Sequence, residues 1–117
     1  MPAGKDVRPQ IWSDVIDLYD DGEYSAIWGS YNGSTQRSLG VRWNEGANPN
    51  IGYPSLFGHP QWYVEPDFTT QSVLNALLNK VLEKSSSLVN FLGFKENIMK
   101  AQEEFAQQLV GNRLKPC

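Results

Sequence analysis

The dipeptide Asn32-Gly33 constrains the fold of this chain more than any other feature, because it separates two segments of alternating apolar and polar residues. Asn-Gly favours the tight turns that join antiparallel strands, since both residues tolerate a positive φ. The segments from Glu23 to Tyr31 and from Gln36 to Asn44 are therefore predicted to form a β-hairpin.

The alternation also assigns the two faces of this hairpin, and it does so equally for a two-residue or a four-residue turn. The predicted core face carries Tyr24, Ala26, Trp28, Leu39, Val41 and Trp43. The second face carries Ser25, Ile27, Gly29, Tyr31, Gly40 and Arg42. It is too mixed for a core and too apolar for an ordinary solvent surface, so it is the first candidate for a binding surface. Glycines within it permit close approach of an aromatic ring or of a partner's backbone.

The segments outside the hairpin read as three helices and one strand. Apolar residues at helical spacing predict a short N-terminal helix from Ile11 to Tyr19. Gln61 to Glu65 alternates and stops at Pro66, which predicts a third strand. The central helix follows from a stripe formed by Val73, Leu74, Leu77, Leu78, Val81 and Leu82. A last helix is predicted from about Lys95 to Val110.

Together these elements predict an α+β fold: a three-stranded antiparallel sheet packed by a central amphipathic helix, with a short N-terminal helix and a C-terminal helix. A length of 117 residues leaves no room for a second core. We expect a flexible N-terminal segment over residues 1–10 and a single α+β domain over residues 11–117.

Charge and cysteine content narrow the classes of partner. Ten basic and thirteen acidic residues give a net charge of −3, which opposes the attraction to phosphate on which nucleic-acid binding depends. Cys117 is the only cysteine, so an internal disulfide is impossible and a reducing, cytoplasmic compartment fits best. The polar N-terminus does not resemble a signal peptide, and the longest apolar stretches are too short for a membrane span. Neither nucleic acid nor a membrane is expected as a partner.

The segment from Glu45 to Pro60 is dense in Gly, Asn and Pro and is predicted to be a loop. Loops of this length are usually functional or disordered. Its apolar residues, which include Tyr53 and Phe57, can anchor it to the domain. We therefore expect an ordered, packed loop.

Two residues are candidates for chemistry. His59, the only histidine, suits a general base, although an ordinary loop residue is the simpler interpretation. Arg42 points to the second face and can bind an anion, unless it forms a cross-strand pair with Glu23. The acidic stretch from Asp14 to Glu23 lacks the pattern of a calcium loop. No metal, cofactor or catalytic cluster is predicted.

Three motifs, Gly40-Val41-Arg42-Trp43, Gly52-Tyr53-Pro54 and Pro60-Gln61-Trp62-Tyr63-Val64-Glu65-Pro66-Asp67, resemble a pattern of small bacterial proteins, some of them encoded on mobile integron gene cassettes. The resemblance spans the sheet, the loop and the central helix. It implies a bacterial, cytoplasmic accessory protein from a mobile element, and it assigns no activity and no functional residue.

These observations favour a non-enzymatic module that binds a protein or a small ligand and forms a homodimer. Its candidate binding or interface residues are Ile27, Tyr31, Arg42, Tyr53, Phe57, His59 and Tyr63. One alternative is a small enzyme or ligand-binding protein with a pocket between the 45–60 loop and the sheet. There Arg42 would hold a small anionic ligand and His59 would act as acid or base. A second alternative is an antitoxin, immunity or inhibitor protein.

Overall fold

The computed structural model of the chain describes residues 4–44, 51–86 and 90–114, with side chains as far as residue 111. A short 3-10 helix at Gly4–Asp6 comes first. The strands that follow are β1 (Trp12–Asp20), β2 (Tyr24–Tyr31), β3 (Arg37–Trp43), β4 (Ser55–Leu56), β5 (His59–Pro60) and β6 (Tyr63–Val64). Two helices, α1 (Asp67–Glu83) and α2 (Phe91–Leu114), complete the fold.

The fold is α+β, as predicted, with a four-stranded antiparallel sheet in the order β1-β2-β3-β6. β4 and β5 form a separate two-stranded hairpin within the predicted loop. The prediction of three strands was therefore one short, because the N-terminal segment also joins the sheet.

The Asn32-Gly33 turn is confirmed. Asn32 and Gly33 have φ values of 55° and 71°, which is the conformation that Asn-Gly tolerates best. Ser30 pairs with Arg37, so the hairpin has the four-residue register. Ser25 consequently lies opposite Arg42, and the predicted cross-strand pair of Arg42 with Glu23 is wrong.

The predicted N-terminal helix is wrong: residues 12–20 form the edge strand β1. Two bulges interrupt its pairing with β2, one opposite Gly29 and one at Leu18. A bulge inserts an extra residue and shifts the side chains that follow to other faces. The apolar residues of β1 therefore recur at intervals of three and four, which imitates helical spacing.

Both helices pack on the core face that the alternation assigns. Ala26, Trp28, Leu39 and Val41 are buried there against helix residues that include Leu74, Leu77, Val81, Ile98, Ala101 and Phe105. Trp28 also donates a 2.7 Å hydrogen bond to Glu104 of α2. Trp43 and Tyr24, predicted for the same core, lie at its end and stay partly exposed.

The second face of the sheet is covered from within the chain. Val7, Trp12, Ile27 and Trp62 form a small second core on this face. The indole nitrogen of Trp62 donates to the carbonyl oxygen of Val7 at 2.9 Å, which fastens residues 4–10 to the loop side of the sheet. Within the N-terminal segment, Val7 is therefore held against Trp62, while residues 1–3 lie outside the described part.

Candidate functional site

The second face does not offer the open surface that the sequence suggests. Ile27 is completely buried under Trp12 and Trp62. Tyr31 is half-buried and meets Trp12 edge to face, with ring centroids 5.2 Å apart. The Trp12 ring lies directly over Gly40, so a ring of the same chain occupies the space that the glycine leaves free.

Arg42 is buried to 99% and binds backbone oxygens rather than an open site. Its guanidinium donates to the carbonyls of Gln61 at 2.6 Å, of Pro54 at 3.4 Å and of Ile51. It also lies over the Trp62 ring, 5.9 Å from the ring centroid. Burial lowers the pKa of Arg42. These contacts assign Arg42 to holding residues 51–61 against β3, and an anion clamp has no support from them.

The remaining predicted site residues lie at the β3–β6 side of the molecule and are exposed. Tyr53 is bridged to Trp43, and Tyr63 pairs with Val41. Phe57 occupies the turn between β4 and β5, and His59 lies beside it on β5. The structure thus brings Tyr53, Phe57, His59 and Tyr63 to one side, while Ile27 and Arg42 are interior. In the described part of the chain, no group of three His, Cys, Asp or Glu side chains is placed to hold a metal ion.

A concave site lies on the helix face, between α1 and the end of the sheet. Its volume is about 740 Å³. The sheet side is formed by Tyr19, Tyr24 and Trp43, and α1 contributes Thr69, Ser72, Val73, Ala76, Leu77 and Lys80. Pockets of a few hundred to about a thousand Å³ with mainly apolar linings are typical of small-molecule sites. We call this site the groove.

One wall of the groove is an aromatic pair. Tyr24 and Trp43 are cross-strand neighbours, and their rings meet edge to face with centroids 4.7 Å apart. Burial, followed by the charge of Glu65, raises the pKa of Tyr24 above its usual value. The Tyr24 phenol therefore stays neutral at physiological pH. The indole of Trp43 remains half-exposed at the mouth of the groove.

The charged residues at the groove balance one another. Asp21 and Glu23 come from the β1–β2 turn, and Lys80 and Lys84 come from α1 and the residues after it. Lys84 pairs with Asp21 at 3.5 Å and closes one end of the groove. Lys80 lies 3.7 Å from Glu83. The four charged residues that line the groove are thus two of each sign.

Asp21 organises this closed end. Its carboxylate accepts hydrogen bonds from the backbone nitrogens of Glu23 and Tyr24 at 2.9 Å and from the Tyr19 hydroxyl at 2.8 Å. Burial alone would raise the pKa of Asp21, but these hydrogen bonds and Lys84 outweigh it and lower the pKa. Burial and the hydrogen bond to Asp21 raise the pKa of Tyr19. The end of the groove is therefore a neutral phenol bound to a carboxylate.

Sequence reasoning did not find the groove. Tyr24 and Trp43 were assigned to the core by alternation, and Ala76 lies outside the apolar stripe of α1. One sequence pattern points to the groove: the core face of the hairpin has aromatic residues at its far end. In the structure, α1 leaves these residues partly uncovered. Only the placement of α1 on the sheet shows which aromatic residues are left uncovered.

No protein-family model, no curated protein and no solved structure matches this chain. No helix in the described residues is long and apolar enough to cross a membrane.

Proposed function

We propose that the protein is a non-enzymatic binding module whose groove takes a neutral small molecule with an apolar ring. The observation that carries this proposal is the Tyr24–Trp43 pair, which faces Val73 and Ala76 of α1 across a volume of about 740 Å³. Aromatic side chains provide large contact areas to flat ligands at a low cost in conformational entropy.

The balance of charge supports a neutral ligand. An ion entering the groove would lose hydration and find Asp21, Glu23, Lys80 and Lys84 in equal numbers of each sign. The hydroxyl groups of Ser72 and Tyr24 offer polar contacts that a neutral molecule can use. The non-enzymatic part of the proposal is supported by a mainly apolar lining, in which the oxygens of one of the two carboxylates, Asp21, are already engaged by three hydrogen bonds.

Two further features of the proposal come from the sequence. The single cysteine at position 117 supports a reducing, cytoplasmic compartment for the module. A role as a bacterial accessory protein follows only from the resemblance described above.

The experiment is a titration with N-phenyl-1-naphthylamine, a neutral ring compound whose fluorescence rises in apolar sites. We expect saturable binding at one site per chain, together with a rise in melting temperature. Ala76→Phe fills the groove from α1 and should weaken binding at least tenfold. The matched control is Ala106→Phe, which adds the same ring at an exposed position of α2 and should bind the probe as the unchanged chain does.

Two results would overturn the proposal. One is the absence of saturable binding to the unchanged protein. The other is equal affinity in the Ala76→Phe and Ala106→Phe variants, which would place the probe elsewhere. Circular dichroism of both variants shows whether they retain the fold.

A further inference from the structure

A second surface lies beside the groove, at the β3–β6 side of the molecule, and consists of four exposed apolar side chains. We call it the aromatic edge; it comprises Tyr53, Leu56, Phe57 and Tyr63. Tyr53 is the cross-strand partner of Trp43, and Tyr63 is that of Val41. Trp43 and Val41 lie two residues apart on β3. Side chains two residues apart on a strand share a face and lie about 7 Å apart. The two tyrosines are therefore neighbours.

The β4–β5 hairpin extends this surface outward. Leu56 pairs with His59, and Phe57-Gly58 forms the turn. Phe57 has a φ of 50° and Gly58 a φ of 79°. Residues with a side chain adopt this left-handed conformation only rarely. The turn places Phe57 at the tip of the hairpin, where the residue is 93% exposed.

The sequence around this surface contains no ionic side chain. From position 46 to position 64 there is no Asp, Glu, Lys or Arg, in a chain where 20% of residues are charged. Protein interfaces are depleted of charge and enriched in aromatic residues at their centres, and homodimer interfaces are the most apolar. The composition of the aromatic edge is that of the centre of such an interface.

The exposed area is that of one side of a dimer interface. Tyr53, Leu56, Phe57 and Tyr63 are exposed to 65%, 56%, 93% and 53%. With roughly 200 Å² for a fully exposed aromatic side chain, they present on the order of 500 Å² of mainly apolar surface. A standard interface buries about 800 Å² on each partner, of which about two thirds is apolar in homodimers. The two values agree.

We propose that the aromatic edge is the contact surface of a homodimer in which the same four side chains of a second copy cover it. A two-fold interface brings one patch against itself, and a patch without charge meets no like-charge repulsion when it does so. The aromatic edge is separate from the second face of the β2–β3 hairpin, which this chain covers with its own residues. The dimer does not depend on ligand binding in the groove.

The experiment measures mass by sedimentation velocity from 1 to 200 µM. We expect the unchanged protein to reach twice the chain mass in this range. Phe57→Ser and Tyr63→Ser should each weaken dimerisation at least tenfold. Leu92→Ser is the matched control, because it removes from α2 an apolar side chain whose exposure, 67%, lies between those of Tyr63 and Phe57, and it should leave the dimer intact.

A measurement on the unchanged protein keeps the proposal testable if a variant folds poorly. Amide hydrogen exchange at 1 and at 200 µM should show slower exchange at the higher concentration in residues 53–63, and equal exchange in α2. A monomeric mass at every concentration would overturn the proposal. So would a dimer that the Phe57→Ser and Tyr63→Ser variants form as tightly as the unchanged protein, with exchange in residues 53–63 that does not depend on concentration. Flotation with vesicles of phosphatidylcholine and phosphatidylserine, by a chain that stays monomeric in solution, would assign the surface to a lipid membrane instead.

Discussion

Arg42 is a charged side chain that has a structural role inside this molecule. It is fully buried on the second face of the sheet and uses its fork of donors to bind three carbonyl groups in residues 51–61. The Trp62 ring lies against the guanidinium group of Arg42. A guanidinium suits this task, because it keeps its charge even where burial lowers its pKa, and its donors diverge.

Replacing Arg42 by Met should lower the free energy of unfolding by about 2–4 kcal/mol, because carbonyl groups lose charged donors inside the protein. Arg42→Lys should recover only part of this loss, since an ammonium group cannot reach the same carbonyls together. Urea unfolding measures both. The control is Lys80→Met, which removes an exposed ion pair and should cost less than about 1 kcal/mol. An Arg42→Met variant as stable as the Lys80→Met variant would contradict this role.

At the scale of the elements, two glycines allow β1 to pack closely against β2 and β3. Gly29 lies opposite the first bulge of β1, where a Cβ atom would meet Val15 at 3.0 Å. Gly40 of β3 lies under Trp12, and a Cβ atom there would be 3.0 Å from two atoms of the indole. Both glycines therefore permit β1 and its side chains to approach the strands closely.

Gly40→Ala should lower the free energy of unfolding by about 1–3 kcal/mol, because the added methyl group must displace the Trp12 ring or Ile27. Thermal unfolding and the near-ultraviolet circular dichroism of the tryptophans measure the effect. Gly111→Ala is the control, since it adds the same methyl group in open space on α2 and should stabilise the helix by up to about 1 kcal/mol. Equal effects of the two substitutions would refute the close contact.

The elements also show which parts of the fold can be predicted from the sequence. The β2–β3 hairpin and α1 were predicted because their signals are local: a turn dipeptide, an alternation and a helical stripe. β1 was missed because its two bulges replace alternation by helical spacing. The β4–β5 hairpin was missed because a Phe-Gly turn is not a usual hairpin turn.

Prediction of the candidate site was poorer, and for a physical reason. The sequence identifies which strand residues share a face, but not which of them a helix covers. Trp43 and Val41 have the same local signal, yet Val41 is buried under the helices and Trp43 lines the groove. Conversely, Ile27 and Arg42 belong to a mixed face that residues 4–10 and Trp62 cover by contacts distant in sequence.

At the scale of the molecule, the sheet has a cover on each side: two helices on one face, and residues 4–10 with Trp62 on the other. Asp21 joins the sheet to the helix layer, because its carboxylate binds backbone nitrogens of the β1–β2 turn and the ammonium group of Lys84 after α1. The same contacts close one end of the groove. The stability of the molecule and the shape of the groove therefore share this carboxylate.

This link predicts how stability depends on pH. The pKa of Asp21 is lower in the folded protein than its usual value, so its ionised form stabilises the fold. The stabilisation is present above the unfolded pKa of about 4 and is lost as the pH falls from there through the folded value. Asp21→Asn should therefore cost about 1–2 kcal/mol at pH 7, and the difference from the unchanged protein should shrink below pH ~4.

Urea unfolding of both proteins between pH 7 and pH 3 provides the measurement, with Asp14→Asn as the control for an exposed carboxylate on β1. The control should differ little from the unchanged protein at any pH, since Asn also tolerates the positive φ of Asp14. A gap between Asp21→Asn and the unchanged protein that persists undiminished at pH 3 would show that the amide disturbs packing rather than charge. If the gap closes on acidification and binding of N-phenyl-1-naphthylamine weakens with it, the same carboxylate holds both the helix layer and the closed end of the groove in place.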